Sequence, residues 1–330
     1  MTTRQASSLR DVDANSRGLW AAVHPYLEVL RPTQWVKNVV VFAGPAAGLK
    51  LVEAEPALKA GLLFIAFCLA SSATYAINDA VDRDADRRHP TKRFRPLARG
   101  AVSLPAVFAL AGVLMLAAIV TAMIWVNRPA TLVLLCYLLM SIAYSAWLKE
   151  RVILDVIIIA LGFVFRAVGG AVAVSVPTSS WLIACVFTLC LFMGFGKRRC
   201  ELAMLSNEDD ARLHRGTLVR YTPHLLTHLI TVSAGIAVIT FLLYTLDTAG
   251  HPAPFQKQHL FYTLPLVVYG IFRFAMLTEA GNHSGPTEIV LKDKPMLLTI
   301  LLWALCALIV AYQVRLFGAH GLEGLLRSVV

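Results

Sequence analysis

No two of the six cysteines stand at the spacing of a metal-binding pair. Cys68, Cys136, Cys185, Cys190, Cys200 and Cys306 lie inside or at the ends of apolar runs, so no disulfide framework is implied. The nine histidines are scattered, and only His89, beside a basic run, stands where chemistry is expected. Charge is scarce as well: Asp, Glu, Lys and Arg make up 15% of the chain against 58% hydrophobic residues, too little for a soluble domain of 330 residues. Low-complexity segments and repeats by residue identity are missing too. Met1 to Arg31 carries Arg4, Arg10 and Arg17 but lacks the apolar core of a signal peptide, so it is expected to be a mobile cytoplasmic tail that is not cleaved.

What is present is a series of uncharged runs near the ~20 residues that cross a bilayer core. They do not alternate, so helices are expected, because a backbone in lipid must satisfy its own hydrogen bonds. Nine spans are predicted: Val36 to Leu51, Pro56 to Asn78, Leu104 to Val126, Pro129 to Leu148, Val152 to Ser175, Trp181 to Gly196, His224 to Leu246, Leu260 to Leu277 and Pro295 to Val314. The first is short, and Gly44-Pro45 is expected to kink or tilt it. Asn127-Arg128 alone separates the third and fourth, which predicts a tight antiparallel hairpin. With the N-terminus inside, the even-numbered loops carry nearly all the Lys and Arg, as orientation by positive charge requires. The net charge of +10 therefore points to membrane orientation and anionic ligands more than to nucleic acid.

The stretch from Asn78 to Gly100 concentrates charge at one membrane surface. If the helix runs on past Ile77, Asp79, Asp82 and Asp86 fall at i, i+3 and i+7, with Asn78 one turn below Asp82. Like charges so close call for a cation between them, and oxygen ligands select Mg²⁺, with Mn²⁺ as the alternative. Arg87, Arg88, Lys92, Arg93, Arg95 and Arg99 follow, and such side chains suit phosphate oxygens. A metal-diphosphate site is the sharper reading; a charged loop that only fixes topology is the blander one.

Other charges lie close to the membrane. Lys37 and Asn38 are either interfacial anchors or substrate contacts, beside Gln34 and Trp35. Asp155 and Arg166 fall within the fifth span, eleven residues apart on one face and too distant to pair with each other. Tyr144 and Lys149 close the fourth span on the side of the acidic stretch. At the end of the sixth, Lys197, Arg198 and Glu201 share one turn next to Gly194 and Gly196, which are expected to admit a backbone or a phosphate. Asn207-Glu208-Asp209-Asp210 is either a second metal site or a solvated loop.

The pattern Asn78-Asp79-x-x-Asp82-x-x-x-Asp86 resembles the first signature of the UbiA-type membrane prenyltransferases, and the likeness runs from about Arg31 to Val314. It implies an all-α integral membrane protein, a nine-helix bundle with a central cavity capped by cytoplasmic loops. The implied organisation is a tail over 1–30, a catalytic membrane domain over 31–316 and a tail over 317–330. Arg31-Pro32 with Gln34 to Asn38, His89 to Pro96, and Gly196-Lys197-Arg198 with Glu201-Leu202 resemble the decaprenyl-phosphate phosphoribosyltransferase branch of that family. Where ordinary prenyltransferases carry a second aspartate-rich signature, this chain has Lys197-Arg198-Arg199-Cys200-Glu201. A second diphosphate-metal cage is therefore not expected.

The branch implies transfer of a 5-phosphoribosyl group from phosphoribosyl diphosphate to a polyprenyl phosphate, for cell-wall arabinan synthesis. Asn78, Asp82 and Asp86 would hold Mg²⁺ with Asp79 close by, while Lys92, Arg93 and Arg95 would serve the donor phosphates. Lys149, Arg166, Lys197 and Arg198 would divide between donor and lipid phosphate. Glu201 joins Asp79, Asp82, Lys197 and Arg198 as an expected catalytic group, and Gln34, Lys37, Asn38, Tyr144 and Asp155 as substrate contacts complete the set. The expected setting is the plasma membrane, with the site and N-terminus cytoplasmic, the bilayer and both substrates as partners, no nucleic acid, and a homo-oligomer as an open option. A prenyltransferase joining a prenyl diphosphate to an aromatic or glyceryl acceptor is the alternative, and a transporter of phosphorylated solute the third choice.

Overall fold

The computed structural model describes residues 23–204, 218–247, 257–283 and 285–317. Regular structure among them is helical throughout, and eight helices are long and apolar enough to cross a membrane. They are α1 (Ala54–Val81), α2 (Leu104–Trp125), α3 (Arg128–Ala146), α4 (Leu154–Ala173), α5 (Ser180–Ala203), α6 (Pro223–Leu246), α7 (Leu264–Glu279), which crosses together with the turn before it as Lys257–Glu279, and α8 (Lys294–Phe317). A 3₁₀ turn, Lys257–Thr263, leads into α7. Their starts follow local signals: Ser103, Asn127 and Thr222 accept N–H groups of the first turns of α2, α3 and α6, each with proline just inside. Asn127 also donates to the carbonyls of Val172 and Ala173, so one side chain starts α3 and closes α4.

The first span departs from expectation. In place of one kinked α-helix there is a 3₁₀ helix over Pro32–Phe42, a short α-helix over Ala43–Ala47 and a further 3₁₀ turn over Lys50–Val52. The segment lies directly on α4. A Cβ on Gly170 would stand 1.7 Å from the Val41 carbonyl oxygen, and one on Gly44 2.6 Å from Ala171 Cβ. Small residues permit this approach in lipid, where close packing holds helices together.

Two further departures concern helix ends. The sixth span does not stop at Gly196: α5 runs on to Ala203, so Lys197, Arg198 and Glu201 stand on a helix. Residues 23–30, expected to belong to a mobile tail, are helical, and Val29 is buried against Ala73, Ala76 and Leu97. The rest of that tail, the Asn207 to Asp210 acids and the tail beyond Phe317 lie outside the described residues.

The two largest apolar clusters organise the bundle. Val41, Leu63, Phe67, Leu134, Tyr137 and Ala173 join the first segment to α1, α3 and α4. Val156, Phe192, Phe195, Leu226, Phe274 and Ile289 join α5, α6 and α7. Since α4 contributes to both, it is the seam between a front and a back half. A cavity of about 260 Å³ sits between Gly44, Ala167, Leu182 and Tyr244, at the end of α4 remote from Asp155.

Candidate active site

The helix does run on past Ile77, but only to Val81, and the acidic stretch bends there. α1 ends at Val81, Asp82 adopts φ −87° and ψ 1°, and a short helix over Arg83–Arg88 continues in a new direction. The bend still keeps the acids together. Asp79 and Asp86 are each only 3% exposed, and one guanidinium nitrogen of Arg95 donates to both, at 2.9 Å to Asp79 Oδ1 and 2.6 Å to Asp86 Oδ2. Arg31 donates to Asp79 from the turn before the first segment and stacks over Tyr75. Lys149 pairs with Asp82 Oδ1 and lies 3.4 Å from Asn78 Oδ1, while Asn78 Nδ2 donates to Asp82 Oδ2 at 3.0 Å. Burial pushes the Asp86 carboxyl above the usual range, although Arg95 and Lys92 pull the other way.

The donor set suits a hard divalent cation in part. Lys149 is a cation lodged between the Asn78 and Asp82 oxygens, and such oxygens ligate Mg²⁺. Among the described residues no three Asp, Glu, His or Cys side chains converge on one point, so the protein would supply few ligands, with water and substrate phosphates completing the shell. Such sparse coordination is the ordinary way Mg²⁺ binds with phosphate substrates.

The basic run divides. Arg95 enters the acid cluster, and Lys92 is half-buried within electrostatic reach of Asp86. Arg93 is exposed, its guanidinium over the exposed Phe94 ring. His89 is buried with Nδ1 accepting the N–H groups of Thr91 and Lys92, so it holds the turn that aims the run.

Deeper in the membrane, Arg166 on α4 donates to Asn38 Oδ1 at 2.6 Å, Gly162 O at 2.7 Å and Tyr137 Oη at 3.0 Å. Its guanidinium also packs on the Phe67, Tyr137 and Phe163 rings. Each of these partners is neutral. Asn38 is fixed in turn by Ser71 and Cys68. Lys37, next in sequence, lies within electrostatic reach of Arg166, Arg31 and, across the seam, Lys197. Gln34 is half-buried on the first turn of the same segment, and Tyr144 within reach of Tyr75 and Arg198.

A second acid–cation cluster ends α5. Asp155 is fully buried, and its Oδ2 accepts from Arg198 Nε at 3.0 Å, while Arg198 Nη1 donates to Glu201 at 2.5 Å. Asp155 and Arg166 do not pair with each other, as their spacing implied. Gly194 and Gly196 do not cradle phosphate: added Cβ atoms would meet Val156 at 2.5 Å and Phe274 at 2.7 Å, so both glycines serve packing. Tyr221 was missed. Its hydroxyl donates to Asp155 Oδ1 at 2.8 Å, and burial beside that carboxylate pushes the hydroxyl well above the usual phenol range, keeping it a donor. Tyr137 was also missed, although it lies two turns before Tyr144 on one helix face, a readable signal.

Comparison with known proteins agrees with this geometry. The model of the UbiA prenyltransferase family matches residues 39–298. The decaprenyl-phosphate phosphoribosyltransferase of Mycolicibacterium smegmatis is 36% identical, over 84% of this chain and 89% of its own. That of Corynebacterium glutamicum is 31% identical over 88% of both. In fold, the chain is similar to a UbiA homolog from Archaeoglobus fulgidus bound to GPP and Mg²⁺, with a TM-score of 0.68 at 19% identity over 87% of this chain and 99% of that one. With charged clusters at one end of eight apolar helices and relatives along most of its length, the chain is a multi-pass membrane protein and belongs to the UbiA prenyltransferase family.

Proposed function

We propose that the chain transfers the 5-phosphoribosyl group of 5-phosphoribosyl 1-diphosphate to decaprenyl or another polyprenyl phosphate, releasing diphosphate. The observation that carries this reading is the cationic pair Lys37 and Arg166: Arg166 has neutral partners and Lys37 has cationic neighbours, at membrane depth. Such a field is costly without an anion, and a lipid phosphate brings one to that depth. Further support comes from the relatives whose names state this reaction.

The donor diphosphate fits the surface end, between Arg31, Arg95 and Lys149 on one side and Lys197 on the other. Mg²⁺, or Mn²⁺, bound by Asn78, Asp82 and Asp86 would supply charge for the departing diphosphate. Arg95 and Lys149 would exchange their carboxylate partners for phosphate oxygens as the donor enters. A lipid-phosphate oxygen then bonds to the anomeric carbon as the bond to diphosphate breaks, and diphosphate leaves with the electron pair. The nucleophile is ionised at neutral pH, so no histidine relay is needed. Arg166 and Lys37 orient it, and Arg95 and Lys149 stabilise the leaving charge.

The reading includes an orientation. Counting Pro32–Ala47 as the first crossing gives nine spans around a central site, with Arg95, Lys149 and Arg198 at the cytoplasmic face of the plasma membrane, under the cytoplasmic loops. The test is turnover of radiolabelled phosphoribosyl diphosphate and decaprenyl phosphate by the purified protein in detergent. Label passing into the organic phase with Mg²⁺ and not with EDTA supports it. No such transfer, with label entering lipid from a prenyl diphosphate instead, would assign ordinary prenyl transfer.

A further inference from the structure

The chain leaves α5 at Ala203 and enters α6 at Pro223, and Tyr221 stands just before that entry. It is 3% exposed, its ring packed among Phe195, Leu226 and their neighbours. Its hydroxyl accepts the N–H of Ile153 at 2.7 Å and donates to Asp155 Oδ1 at 2.8 Å. Ile153 has φ 69° and ψ −48°, a conformation that β-branched residues rarely adopt. Backbone strain of this kind persists only where its surroundings hold it, and it gathers at functional sites. Asp155, two residues on, accepts from Arg198, which also donates to Glu201, one turn along α5. The series Ile153, Tyr221, Asp155, Arg198 thus ties the turn before α4, the start of α6 and the last turns of α5 into one unit. Lys197, half-exposed beside Arg198, pairs with Glu201 at 3.6 Å and lies within electrostatic reach of Lys37 across the seam.

We propose that Tyr221 is a positioning residue for diphosphate: its hydroxyl holds the strained Ile153 turn and the Asp155 carboxylate in register, and so fixes the end of α5 from which Lys197 meets the phosphates. The proposal rests on the phosphoribosyl-transfer reading and adds to it a residue that touches no substrate. Tyr221→Phe removes the hydroxyl and keeps the ring in its apolar pocket. By calorimetry on the full chain in detergent, Tyr221→Phe weakens binding of inorganic diphosphate with Mg²⁺ about tenfold, the size of effect expected when an outer hydrogen-bond partner is lost. The Michaelis constant for phosphoribosyl diphosphate rises by a similar factor and that for the lipid phosphate stays unchanged, while the unfolding midpoint without ligand falls because Asp155 and the Ile153 N–H each lose a partner. A lowered midpoint with undiminished diphosphate affinity would make Tyr221 a stability residue and overturn the proposal. Glycine adopts positive φ without strain, so Ile153→Gly in the Tyr221→Phe background regains part of the lost affinity; equal affinities in single and double variants would also overturn it. Diphosphate binding is independent of which group is transferred. A wild-type protein that binds Mg²⁺-diphosphate in this Tyr221-dependent way, yet transfers no phosphoribosyl group, would uphold Tyr221 and sink the substrate reading alone.

Discussion

At the scale of single residues, the acids expected to hold a metal are each engaged by a cationic side chain, and this shapes what their substitution does. Lys149 lies between the Asn78 and Asp82 oxygens, competing with any divalent cation for the same electrons. Lys149→Ala therefore tightens binding of Mn²⁺ in the absence of substrate, by about tenfold on the scale of neighbour effects at metal sites, and slows turnover because the departing diphosphate loses a cation. Asp82→Asn does the reverse to the metal, and turnover falls by about 10²-fold or more with the fold kept. Titration with Mn²⁺ followed by electron paramagnetic resonance reads both, and unchanged affinity in Lys149→Ala would show that the metal sits elsewhere. The identities of these groups were legible from charge and spacing. Their pairing was not, because Arg31 and Arg95 reach Asp79 from elements 48 and 16 residues away in sequence. Tyr221 gave no signal at all: it stands between the 3₁₀ turn Leu218–Arg220 and the start of α6, outside any apolar span and with no periodic neighbours on a helix.

At the scale of elements, apolar length predicted the long helices well because each must cross the same thickness of lipid. The first segment escaped because hydropathy counts residues and says nothing of rise per residue. Its close seat on α4 carries a prediction. Gly170→Ala drives a Cβ into the Val41 carbonyl and destabilises the bundle by about 1–3 kcal/mol, the usual range for overpacking, whereas Gly112→Ala on α2 meets open space and leaves stability level or slightly higher. Thermal unfolding in detergent compares the two, and equal midpoints would mean that the segment yields freely. The start of α8 carries a second. Asp293 accepts both forks of Arg273, at 2.6 and 2.9 Å, and the Met296 N–H at 2.8 Å, and these partners hold its carboxyl below the usual range. A depressed folded pKa gives stability that is present above the unfolded value, 3.8, and lost as pH falls through the folded one. Asp293→Asn keeps the cap and abolishes that acid-range loss, which unfolding at pH 6 and pH 3 would reveal as a smaller difference than in wild type; the exposed setting of the pair keeps the effect modest.

At the scale of the whole molecule, the two largest apolar clusters and the two acid–cation clusters divide the bundle the same way. Asp79, Asp82 and Asp86 with Arg31, Arg95 and Lys149 belong to the half built on the first segment, α1 and α3; Arg198 and Glu201 belong to the half built on α5 to α7. Helix α4 serves both, carrying Arg166 toward the first and Asp155 toward the second. Lys37 and Lys197 lie within electrostatic reach of each other across this seam with like charges, a repulsion that an anion entering between them would relieve. A diphosphate with its cation is therefore expected to join the halves. At a hundred times its dissociation constant it stabilises the fold by about 2.7 kcal/mol, and hydrogen exchange should slow together at the end of α1 and the end of α5, two regions from opposite halves. Slowing confined to the α1 end would place the diphosphate wholly within the front half and leave Lys197 without a phosphate to meet. Slowing at both ends, lost at the α5 end alone in Tyr221→Phe, would show that the seam is where the donor is held and that the back half reaches it through Asp155 and Arg198.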